Sequence, residues 1–290
     1  MTPEQLNDQF GIPQRLRFET GNGGLTRAIV TTPQADAEIY LYGAQVTHFQ
    51  PRDSKPVLWM SQKAAFTPGK PIRGGVPICF PWFGPKAGDS SAPMHGLARL
   101  TEWTVQSVSR TATSTDLTLS LELLDTYALT FTASVAQSLG MSLTVRNITG
   151  QPVVFEEALH TYFAVGDIRQ TTITGLENTR FFTLIPEART LDQGNLPVAF
   201  SGETDRVYLD TQSTCVIHDP VWNRMIEVAK SGSHSTVVWN PWIAKAKAMP
   251  DFGDEEWPEM LCIETCNVKE NAICLSPQES HTMRAGITLV

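Results

Sequence analysis

Three consecutive segments alternate apolar and polar residues with a period of two: Leu117-Thr-Leu-Ser-Leu-Glu-Leu, Leu129-Thr-Phe-Thr-Ala-Ser-Val and Met141-Ser-Leu-Thr-Val-Arg. Successive side chains of a strand point to opposite faces. The pattern therefore lays one face of each segment on a core and turns the other toward water or a polar cleft. Asp125-Thr126-Tyr127 and Ser138-Leu139-Gly140 are short enough to be hairpin turns. Together they predict an antiparallel meander. Residues 37–42, 153–160 and 235–239, rich in β-branched and aromatic side chains, predict further strands. Helix signals are few: residues 2–10 predict one turn or two, and 244–249 a short helix that stops before Pro250. With 19 Pro and 20 Gly in 290 residues, frequent turns are expected and long helices are not. There is no fixed-period repeat and no linker-like tract. The expected fold is all-β, a single large antiparallel β-sandwich over residues 1–290.

The charge balance narrows the function. Lys plus Arg is 22 against 30 Asp plus Glu, a formal charge of −8. Such a surface repels polyanions, which argues against a nucleic acid or membrane partner. A small anion would need a few locally placed cations. Five Cys, at 79, 215, 262, 266 and 274, match no zinc spacing and predict buried, reduced thiols. The N-terminal residues lack a secretory pattern, and no apolar run approaches the roughly 20 residues needed to span a bilayer. A cytoplasmic monomer is expected.

Two stretches, residues 66–99 and 239–258, are long and irregular, and such loops tend to carry function. The first contains Arg73 in a mostly apolar setting, followed by Gly74 and Gly75. Its guanidinium either pairs with a carboxylate or awaits an anionic ligand. Further on, His95 and Arg99 flank Gly96 in a polar loop. They make either a solvated loop with a capping His or a second cation with a hydrogen-bonding imidazole. If 153–160 is one strand, Glu156, Ala158 and His160 share a face. His160 is then either a structural residue or an acid usable near neutral pH. In Met260-Leu-Cys-Ile-Glu-Thr-Cys-Asn-Val, Glu264 lies between Cys262 and Cys266 on one strand face. A carboxylate buried there costs several kcal/mol unless it is paired or protonated. It is either paired to a cation across the sheet or a general base tuned by desolvation. The two thiols are about 13 Å apart along such a strand, too far for a disulfide. Asp205 is either a turn residue or an acceptor for sugar hydroxyls. Trp239 either packs in the core or offers a ring to a sugar face, and the acidic residues 251–259 read as a solvated loop.

Taken in order, Pro71-Ile-Arg-Gly-Gly-Val-Pro-Ile-Cys-Phe-Pro-Trp-Phe-Gly-Pro, His95-Gly-Leu-Ala-Arg, Ala158-Leu-His-Thr-Tyr-Phe, Asp205-Arg-Val-Tyr, Val238-Trp-Asn-Pro-Trp and Cys262-Ile-Glu-Thr-Cys-Asn-Val resemble the aldose 1-epimerase (galactose mutarotase-like) superfamily. They resemble in particular its glucose-6-phosphate 1-epimerase, or D-hexose-6-phosphate mutarotase, branch, over about residues 30–290. The resemblance implies a β-supersandwich, with His160 as general acid and Glu264 as general base. It implies Arg73 and Arg99 as ligands of a sugar phosphate, and His95 and Asp205 as partners of sugar hydroxyls. Anomer exchange by ring opening and closure involves no net redox change and no group transfer, so no cofactor and no metal is expected. With His160 protonated and Glu264 ionised, a bell-shaped pH profile follows. The competing readings are the same chemistry on free aldoses, a non-catalytic carbohydrate-binding sandwich, and a metal site built from His95, His160 and Glu264.

Overall fold

A computed structural model describes residues 1–290. Three larger sheets carry the chain, and every pairing between their strands is antiparallel. The predicted meander is present as Thr115–Leu123, Tyr127–Val135 and Leu139–Asn147, with the turns one or two residues earlier, at 124–126 and 136–138. Its alternating burial follows the apolar residues. These strands continue through Ser280–Leu289 into a nine-stranded sheet. An eight-stranded sheet is built around Met260–Asn267, with Ser235–Asn240 on one side and two short strands, Glu157–Leu159 and Tyr162–Ala164, on the other. A four-stranded sheet is formed by Leu16–Thr20, Thr26–Thr31, Ala35–Tyr40 and Gln45–Pro51. One contiguous apolar core draws side chains from all three sheets, for example Val46, Phe131 and Ile263. The β-sandwich expectation therefore holds.

Both helices form. Pro3–Phe10 is opened by a capping box between Thr2 and Gln5. The second, Trp242–Ala248, starts two residues before its predicted position because the Asn240 side chain accepts the Trp242 N–H at 2.9 Å.

Three expectations are corrected. Residues 153–160 are not one strand. Val153–Phe155 pairs with Ile273–Leu275, while Glu157–Leu159 joins the eight-stranded sheet. The break falls at Glu156, whose carboxylate turns away to accept the N–H of Phe83 at 2.9 Å and of Lys269 at 2.6 Å. Residues 251–259 are docked rather than solvated. Glu256 accepts from Ser61 Oγ and from the N–H groups of Gln62 and Gly253, and Asp251 pairs with Arg73. Among the five thiols, Cys274 is exposed and the other four are buried.

Of the two long irregular stretches, the first contains only the two-residue strand Ile78–Cys79 and is fastened by close backbone approaches. Gly96 has φ +76° and runs beside Phe80, whose carbonyl accepts the N–H of Leu97 at 2.8 Å. A Cβ on Gly96 would stand 2.0 Å from that oxygen, so only glycine fits. Gly96→Ala is expected to lower stability by about 1–3 kcal/mol. Urea denaturation measures this, and an unchanged midpoint would contradict the close approach.

Candidate active site

The strand Met260–Asn267 has neighbours on both sides and is buried along its whole length. Glu264 at its centre is 1% exposed. The two short strands beside it keep one register, with Leu159 opposite Thr265 and Tyr162 opposite Cys262. His160 falls in the gap between them, directly across from Glu264. Its Nε2 lies 3.2 Å from Glu264 Oε1. The backbone N–H of His160 donates to Pro77 O at 3.0 Å, and Tyr162 stacks on the ring at 4.8 Å and 13°. Trp239 stands edge-on at 6.2 Å. His160 Nδ1 and Glu264 Oε2 are buried and have no hydrogen-bond partner.

The low dielectric around this pair decides where its proton rests. Burial pushes the Glu264 carboxyl well above the usual carboxylate range; Asp205 adds to the rise and Arg99 opposes it. Burial also drives His160 well below the usual imidazole range, helped by His95, Arg99 and Arg73. Burial thus favours the neutral form of each partner, a protonated carboxyl and an uncharged imidazole. The ionised arrangement expected from sequence works against that bias, because two charges at this depth lose much hydration.

Arg73 meets the first of the readings offered for it, pairing with a carboxylate. It pairs with Asp251 through Nε and Nη2, at 3.3 and 3.1 Å, and its Nη1 donates to the Tyr162 hydroxyl at 2.9 Å. Arg99 differs. It is 7% exposed, donates once, to Met94 O at 2.7 Å, leaves its Nε–H without an acceptor, and forms no ion pair. The solvated-loop reading of His95 and Arg99 is thus overturned. His95, at φ +61°, accepts the Gly84 N–H on Nδ1 at 3.2 Å, which leaves Nε2 as a donor. Burial, with Arg99 and Arg73 adding, pulls its pKa down to about 3, so the ring is neutral. Asp205 is not in a turn. It lies in the strand Thr204–Tyr208 opposite Trp239, and its carboxyl makes no hydrogen bond within the protein. Burial raises its pKa, while Lys245 and Lys269 act against the rise.

All six predicted residues line one cavity of about 430 Å³. That volume lies within the range usual for small-molecule sites. Tyr162, Trp239, Lys245 and Lys269 share the lining. The lysines had no assigned role because they stand on the second helix and on a turn after the central strand, where no local pattern marks them. His95, His160 and Glu264 do not converge as a metal-ligating set, since no His, Cys, Asp and Glu side chains of this chain do.

The model of the family described as Aldose 1-epimerase matches residues 28–288. A protein of Cenchrus ciliaris named "Putative glucose-6-phosphate 1-epimerase" is 37% identical over 272 residues, covering 88% of this chain and 81% of that one. One of the same name from Escherichia coli K12 is 34% identical and covers 87% of each chain. A crystal structure from Salmonella typhimurium, titled as that of "a putative mutarotase", superimposes with a TM-score of 0.89 at 29% identity, covering 97% of this chain and 95% of that one.

The position of the pair's proton has a consequence for stability. A carboxyl raised in the folded state contributes most below its ordinary value of 4.5, and the contribution is lost as pH rises through the raised value. Glu264→Gln lacks this loss. The variant is expected to gain in urea midpoint over the parent between pH 5 and pH 8; a difference that stays constant with pH would show an ordinary, ionised Glu264.

Proposed function

The chain belongs to the aldose 1-epimerase family, and from that premise we propose that it interconverts the α and β anomers of hexose 6-phosphates, glucose 6-phosphate first among them. The observation that carries the choice of a phosphorylated sugar is Arg99. A guanidinium buried without a counter-ion is costly, and an anionic ligand that shares its site relieves the cost. Arg73, on the same cavity, is the second cation for the phosphate. Two guanidinium groups can hold it by charge-assisted bonds, and an acidic chain gains local selectivity for an anion this way.

In this reading Glu264 takes the proton of the anomeric hydroxyl while His160 gives a proton to the ring oxygen. The C1–O5 bond breaks, O1 becomes the aldehyde oxygen, and C1 turns about C1–C2. The ring then closes on the other face: O5 attacks C1, Glu264 returns its proton to O1 and His160 recovers its own from O5. His95 Nε2–H and Asp205 hold ring hydroxyls as donor and acceptor. The two groups start in direct contact, so the proton can reach His160 from Glu264 before chemistry begins. A binding module has no need of that contact between a buried carboxyl and an imidazole, which favours an enzyme over a non-catalytic sandwich. The same reading takes residues 1–290 as one cytoplasmic, monomeric unit. No helix is long and apolar enough to cross a membrane.

Anomer exchange by NMR tests it. Glu264→Gln is expected to lower exchange of glucose 6-phosphate about 10²–10⁴-fold, the contribution of a positioned proton transfer. Arg99→Ala is expected to lower kcat/KM on glucose 6-phosphate about 100-fold, as for loss of a strong charge-assisted bond, and not to lower it on glucose. Equal losses on the two sugars would contradict the phosphate assignment, and an unchanged rate in Glu264→Gln would contradict catalysis.

A further inference from the structure

We propose that the phosphate of the substrate is an activator as well as an anchor: its charge, placed on Arg99 and Arg73, draws the shared proton from Glu264 onto His160 and so sets the pair for ring opening. This rests on the reading above and deepens it.

The geometry is one of two cations arranged around one imidazole. Arg73 Nη1 is bonded to the Tyr162 hydroxyl, and the Tyr162 ring lies flat on that of His160. Arg99 is held by the carbonyl of Met94, next to His95, whose ring meets His160 edge-on at 5.6 Å. The guanidinium groups thus flank His160, one behind Tyr162 and the other behind His95. Only Arg73 is balanced, by Asp251. Glu264 meets the imidazole at Nε2, and Asp205, Cys262 and Cys266 are its titratable neighbours. Both guanidinium groups act on His160, whereas Arg99 alone acts on Glu264.

Passing the proton from Glu264 to His160 therefore moves positive charge toward the arginines. Their field opposes the step in a medium that screens little. A phosphate dianion on the same arginines reverses the sign of that field, and the transfer becomes favourable. No atom is gained or lost in the step: one proton leaves Oε1 of Glu264 and arrives at Nε2 of His160 across their 3.2 Å contact. A sugar without phosphate meets the pair with its proton still on the carboxyl, which can accept nothing from the anomeric hydroxyl.

The experiment divides the substrate in two. α-D-Xylose has the ring of glucose without the C6 arm, and the phosphite dianion supplies the missing charge. Anomer exchange of xylose is followed by NMR with and without phosphite, subtracting the enzyme-free rate. The expected result is a saturable increase of about tenfold or more in the enzyme's kcat/KM for xylose. It should be lost in Arg99→Ala, and phosphite should add only its background rate to Glu264→Gln. In parallel, kcat for glucose 6-phosphate should exceed kcat for glucose, and not KM alone differ. If the parent enzyme exchanges glucose 6-phosphate anomers but phosphite leaves xylose unchanged or inhibits it, the phosphate is an anchor only and the inference is overturned. If the parent enzyme does not exchange glucose 6-phosphate anomers at all, the underlying assignment fails instead.

Discussion

A positive charge sealed inside the protein with no negative partner is the constraint around which the cavity is arranged. Arg99 is about as buried as a core leucine, yet one backbone carbonyl is the acceptor it finds. Sequestering an ion costs several kcal/mol even after relaxation. The fold sustains that cost by anchoring the strap that bears it. Leu97 and Ala98 both donate to Phe80 O, and Trp103 Nε1 donates to Ala98 O. These bonds fix the backbone that carries the guanidinium beside the cavity. Arg73 shows the contrasting solution, a fork closed on Asp251 and steadied by a tyrosine.

His160 and Glu264 face the same difficulty of charge at depth. A proton on Glu264 would leave both members neutral and remove most of the desolvation cost, and the contact with His160 puts the ionised form one short transfer away. The two buried atoms left without partners, His160 Nδ1 and Glu264 Oε2, show that hydrogen bonding within the protein does not saturate the pair.

Much of this was legible in the chain. The period-two segments gave the meander because each buries one face only. The run around Glu264 stood out because a lone carboxyl in an apolar strand requires an explanation. Local pattern misled where a tertiary partner decided the outcome. Val153 to His160 looks continuous, and nothing within it reveals that Glu156 will leave the sheet to take the N–H groups of Phe83 and Lys269. The acidic residues 251–259 look solvated until Arg73 and Ser61 are brought against them. That His160 faces Glu264 depends on the shared register of two short strands on a third, which no spacing in the sequence states. The motif resemblance named these residues as a set; the pairing explains why they form one.

Glu264 belongs to an interior strand of its sheet, whereas both arginines ride on segments outside the strands. In the proposed reading, proton handling and anion selection are thus carried by separate parts of the chain. Retargeting such a scaffold to a sugar bearing a different charged group becomes a matter of rebuilding two surface straps, with the sheet beneath left as it is.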